Sequence, residues 1–186
     1  MNLTIKDLEK LQTKLQADHL DYQLELVDGR IIVMGPSDVT SSEVGARLIT
    51  FLNIWVLPRK LGCVYDSSGG FILPNETTDL RAPDVSFVRA ERIKHSPRSF
   101  AELIPDLVVE IKSKSDRIKP IKEKIQAFLA LGSEVGILID PDKETVTIYR
   151  RTGEPTALTN SDVITIPELF PGWELSVSEL WPPEFE

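Results

Sequence analysis

Three apolar residues, Leu107-Val108-Val109, run without a break into Glu110-Ile111-Lys112, and this junction constrains the fold more than any other stretch of the chain. Such a run reads as a buried strand bounded by polar residues. Side chains two apart in a strand share a face, so a carboxylate and an ammonium would project side by side from its end. Polar groups leaving a buried strand need partners. An ordinary Glu/Lys ion pair would meet that need as well as a reactive site would, so the triplet must be weighed with its surroundings.

The elements around it alternate in type. Thr4 and Asp7 form a capping pattern ahead of Leu8, Leu11 and Leu15, which predicts a helix near 4–18. Residues 23–27 and 31–34 flank Asp28-Gly29 and predict a tight hairpin. Ser41 or Ser42 can open a second helix whose Val44, Leu48, Phe51, Leu52 and Trp55 form a broad apolar stripe, ending before Pro58. Short strands are expected at 63–65, 71–73, 85–88 and 107–111, then a helix at 118–131 and strands at 135–139 and 145–149. Mixed helices and strands make the class α/β (α+β mixed).

At 186 residues the chain is expected to form one domain. Residues 1–40 would supply a helix and hairpin, 41–150 the core, and 151–186 an acidic closing segment. The tail from Thr152 onward holds seven acids, Glu186 the last, and no Lys or Arg, so it accounts for nearly all of the net charge of −8. That sign argues against a protein that merely coats nucleic acid. Lys112 to Lys124 is the exception, with six bases against two acids. A solvated strand end and helix face explains this patch as readily as a binding surface does.

Several chemistries are excluded or disfavoured. One cysteine, Cys63, cannot form an intramolecular disulfide, and with only His19 and His95 beside it a nitrogen/sulfur zinc site is hardly possible. Any metal would be hard and oxygen-bound. Neither histidine lies near a nucleophile turn, and Ser67-Ser-Gly-Gly70 lacks the Gly-Lys-Ser/Thr of a phosphate loop. The most apolar run, Leu48 to Leu57, falls well short of the ~20 residues of a membrane span. The N-terminus lacks a signal layout, so the expected compartment is the cytoplasm.

Arg81-Ala-Pro-Asp84 opens the strand at 85–88. Pairing of that strand with 107–111 would set Asp84 beside Glu110. Two carboxylates in a partly dry cleft repel unless a cation joins them, and Mg²⁺ accepts such oxygens while keeping waters.

This order of residues resembles the PD-(D/E)XK nuclease superfamily and, more closely, the Uma-two family of restriction-endonuclease-like proteins. The resemblance runs from about Tyr22 to Tyr149. It rests on Ser42-Glu-Val-Gly45, Gly69-Gly-Phe71, Arg81-Ala-Pro-Asp-Val-Ser-Phe-Val88, Pro105-Asp-Leu-Val-Val-Glu-Ile-Lys112, Glu123-Lys-Ile125 and Leu138-Ile-Asp-Pro141. It implies a restriction-endonuclease-like core, a central mixed sheet flanked by helices, with the N-terminal helix and hairpin added. It further implies that Asp84, Glu110 and the Ile111 carbonyl hold Mg²⁺ or Mn²⁺, that Glu43 joins them, and that Lys112 orients the attacking water. Lys124 would face the site from its helix and, with Lys114 and Lys122 of the basic segment, would meet phosphate. Many family members carry an apolar residue where Lys112 stands.

The expected function is metal-dependent endonucleolytic hydrolysis of nucleic acid, DNA first, with a homodimer expected by analogy. Two rivals are a catalytically inactive module of the same fold binding nucleic acid or protein, and a hydrolase of small phosphorylated molecules.

Overall fold

The computed structural model describes residues 2–185; Met1 and Glu186 lie outside the described residues. Helix α1 (Ile5–Ala17) opens on a capping box in which Thr4 Oγ1 accepts from the Asp7 N–H and Asp7 accepts from the Thr4 N–H. Strands β1 (Gln23–Val27) and β2 (Arg30–Met34) close through Asp28 and Gly29. Both turn residues take positive φ, 49° and 69°, as a two-residue turn matching the strand twist requires.

Helix α2 (Val39–Arg59) is longer than the sequence predicts at both ends. Asp38 rather than a serine is the N-cap, its carboxylate accepting from the Ser41 N–H at 3.0 Å. Those bonds, and one from the Lys114 N–H, hold the Asp38 carboxyl down at about 2. Pro58 is inside the last turn, where its missing N–H forfeits only a bond to the carbonyl of exposed Ile54. Val44, Leu48, Leu52 and Val56 are buried, whereas Phe51 and Trp55 are only partly so.

The remaining strands are β3 (Gly62–Asp66), β4 (Phe71–Ile72), β5 (Leu80–Arg81), β6 (Val85–Arg89) and β7 (Leu107–Ile111), followed by helix α3 (Ile118–Leu131). Then come β8 (Val135–Asp140), β9 (Thr145–Arg150), β10 (Thr156–Leu158), β11 (Val163–Thr165) and β12 (Glu174–Ser176), with a final 3₁₀ turn at Val177–Leu180. A six-stranded mixed sheet in the order β10-β9-β8-β7-β6-β3 is the centre of the molecule. Its β7 and β8 run parallel, joined by α3, and the other pairs are antiparallel. The hairpin is not a simple addition: β1 pairs with β5 through Leu26 and Leu80, making a second sheet ordered β2-β1-β5-β4.

Strand alternation sorts the core. One face of the large sheet, with Val85, Phe87, Leu107, Val109 and Ile139, packs on α2 and on Ile164, Ile166, Phe170, Trp173 and Leu180 of the tail. The acidic closing segment is therefore core as well as cover. The other face sets Val88 and Val108 against Phe71 and Phe128, and Leu138 against Ile125 and Leu129 of α3. Glu110 shares parity with Val108, so its side chain belongs to the α3 face.

Gly136 brings α3 close. A Cβ there would stand 2.4 Å from Ile125 Cγ2, which the packed helix can relieve only by shifting. Gly136→Ala is expected to cost about 1–3 kcal/mol, read as a lower urea midpoint. An unchanged midpoint would show that α3 is free to move. Among the described residues no helix is long and apolar enough to cross a membrane.

Candidate active site

Antiparallel pairing of β6 and β7 puts Val85 opposite Val109, so Asp84, one residue before β6, stands beside Glu110. The two are further fixed by the backbone, since the Ile111 N–H donates to Asp84 Oδ2 at 2.7 Å. Asp84 is partly buried and Glu110 is buried. Burial raises the Asp84 carboxyl above its usual range, against the Ile111 hydrogen bond and the Lys124 charge, which favour the anion. Glu110 is pushed up to about 8 by burial, which the Lys124 charge only partly offsets, with a smaller upward push from the neighbouring Asp84 charge.

The ammonium at this pair is that of Lys124. Its Nζ lies 2.9 Å from Glu110 Oε1, at angles too poor for a hydrogen bond, so Glu110 Oε1 is buried without a hydrogen-bond partner. The same Nζ donates to Glu25 Oε1 and to the Ala82 carbonyl, each at 2.9 Å. Burial works to lower the pKa of Lys124, but Glu110 and Glu25 together outweigh it and hold the group above its ordinary value. Glu25 in turn accepts from Arg81 Nε at 3.1 Å and from the Ala82 N–H at 2.8 Å. Three carboxylates and two cations thus meet where the hairpin, the large sheet and α3 converge.

Glu25 is the residue that sequence reasoning missed. Leu24 and Leu26 pack toward α1, and alternation alone would send Glu25 to water. The pairing of β1 with β5 instead covers it with Arg81, Ala82 and Lys124. The one local signal was an acid set between two leucines in a strand.

The other predicted residues lie elsewhere. Lys112 donates to Asp142 Oδ2 at 2.6 Å and to the Ser113 carbonyl at 3.1 Å. With exposed Lys114, it lines a cleft of about 250 Å³ that also includes Asp38, Ser41 and Asp142. Glu43 sits on α2, which packs on the opposite face of the sheet, 3.8 Å from Arg47. Lys122 is exposed on α3. Ile111 ends β7 with its N–H on Asp84. A larger cavity of about 500 Å³, bordered by Tyr65, Gly70, Phe71, Arg98 and Phe100, is also separate from the carboxylates.

Asp84 and Glu110 are hard oxygen donors whose shared burial disfavours two bare charges, a donor set that suits a divalent ion retaining several waters. Among the described residues no group of three or more His, Cys, Asp or Glu gathers as a metal site, so the pair would provide the side-chain ligands alone.

The raised Glu110 value sets a pH dependence. Unfolded, the group titrates near 4.5; folded, at about 8. Between those values the native state binds more protons than the unfolded chain, so its contribution is full below the lower value and is lost as pH rises through the upper one. Urea midpoints of chelator-treated protein are expected to fall across that window and then level off. Glu110→Gln should remove most of the slope, and a slope unaltered by the substitution would refute the assignment.

Comparison with known proteins bears on this geometry. The Uma2 family model, described as "Putative restriction endonuclease", matches residues 6–178. A solved structure described as a "putative nuclease belonging to DUF820" from Anabaena variabilis ATCC 29413 superposes with a TM-score of 0.79. It is 21% identical, with 96% of this chain and 97% of that chain covered, a likeness of fold. No curated protein matches the chain.

Proposed function

This chain belongs to the Uma2 family, and from that premise we propose that it is a metal-dependent endonuclease, hydrolysing phosphodiester bonds in nucleic acid and DNA in particular. The observation that carries the reading is the meeting of Asp84 and Glu110 at the ends of adjacent strands, each raised by burial, beneath the Lys124 ammonium. Such a pair is costly to a fold unless it holds something. Mg²⁺ or Mn²⁺ on these two side chains would polarise a phosphoryl oxygen and lower the pKa of bound water.

The chain's own residues do the rest. The Ile111 N–H keeps Asp84 oriented. Lys124 brings positive charge to the place where phosphate charge develops, a role the linear motif would have given to Lys112. Lys112, Lys114 and Lys122 then serve as contacts for the nucleic-acid backbone around the site. A homodimer would let one copy act on each strand of a duplex.

The test incubates purified protein with supercoiled DNA, linear DNA and single-stranded RNA, adding Mg²⁺, Mn²⁺ or a chelator. Metal-dependent nicking of supercoiled DNA supports the reading. Salt-sensitive binding without cleavage would instead support the non-catalytic module. Release of phosphate from small phosphorylated compounds, without DNA binding, would support the third reading.

A further inference from the structure

A divalent ion at Glu110 would not enter a vacant space, because an ammonium already stands there. Lys124 Nζ lies 2.9 Å from both Glu110 Oε1 and Glu25 Oε1, on a side chain only 11% exposed. Neither of the two main cavities is lined by Asp84, Glu110 or Lys124. The contacts also differ in kind: those to Glu25 and the Ala82 carbonyl are hydrogen bonds, whereas the one to Glu110 is a charge contact without hydrogen-bond geometry. The ammonium is thus shared at equal distance between the candidate ligand and Glu25, and its hydrogen bonds are those to Glu25 and the Ala82 carbonyl. Two cations a few ångströms apart on one carboxylate oxygen repel each other strongly in a buried setting.

We propose that Lys124 is a resident counter-ion that competes with the metal for Glu110, and that Glu25 is the positioning residue that retains the ammonium when Glu110 turns to the metal. This rests on the metal reading above and adds to it a form of regulation. The site is neutralised from within while metal is scarce, and Lys124 stays in place on Glu25 when metal arrives. The hairpin thereby takes part in the site through one carboxylate.

The test measures Mn²⁺ affinity of the full chain by calorimetry at one fixed pH, independently of cleavage. Lys124→Met is expected to bind Mn²⁺ about tenfold more tightly than the wild type, although it has lost a cation that serves the reaction. Glu25→Gln, which leaves the ammonium to lean on Glu110, is expected to bind about tenfold more weakly. Lys119→Met removes an exposed lysine from the same helix and is expected to leave the affinity unchanged. Equal or weaker binding by Lys124→Met, or equal tightening by Lys119→Met, overturns the inference and leaves the metal reading standing. Absence of binding in the wild type and in Lys124→Met overturns both. Should Lys124→Met fail to fold, Glu25→Gln decides: weaker binding supports the inference, and unchanged or tighter binding overturns it.

Discussion

Glu110→Gln is expected to lower Mg²⁺-dependent nicking of supercoiled DNA by about 10³-fold or more, the scale on which loss of a group stabilising the transition state is felt. The same substitution should leave the protein no less stable under alkaline conditions. These effects have one origin. Glutamine keeps the volume of the side chain but removes the charge that burial and Asp84 oppose. A residue retained for packing would show the reverse, with stability falling and activity following it. Parallel nicking assays and urea titrations of the two proteins distinguish the cases. Cutting that persists in the variant would identify the activity as a contaminant's.

Phe170→Ala should have the largest effect on stability, about 3–5 kcal/mol. Phe170 is fully buried, edge-on to Phe87 of β6 at 4.7 Å and to Trp173 at 5.8 Å. Its removal leaves a void between the tail and the strand that follows Asp84, and strands cannot readily collapse to fill it. A urea midpoint shift at constant slope measures the loss. A shift below about 1 kcal/mol would mean that the tail merely covers a core that stands without it.

The contrast between what the chain declares locally and what only folding assembles is clearest at these residues. The juxtaposition of Asp84 and Glu110 was legible because two short apolar strands, each bounded by an acid, have few ways to pair. Helix α3, expected at about 118–131, spans Ile118–Leu131. The hairpin turn was legible from Asp28-Gly29 alone. Glu25 was not, because its burial depends on β1 meeting β5 across more than fifty positions of sequence, and no local pattern encodes that encounter. The choice between Lys112 and Lys124 was equally hidden. Both lie within reach of the end of β7, and Asp142 on the turn after β8 draws Lys112 aside. The tail's acidity drew attention to its cover, yet its apolar residues, Phe170 and Trp173 among them, are the part that packs.

The hydrogen bond between Glu25 and Lys124 joins positions 99 residues apart and gives them a common evolutionary fate. A descendant that loses the acid leaves a cation with one partner fewer, and a descendant that loses the cation leaves an acid in a dry setting, so either change selects for its counterpart. Across relatives, the two columns should vary together or not at all.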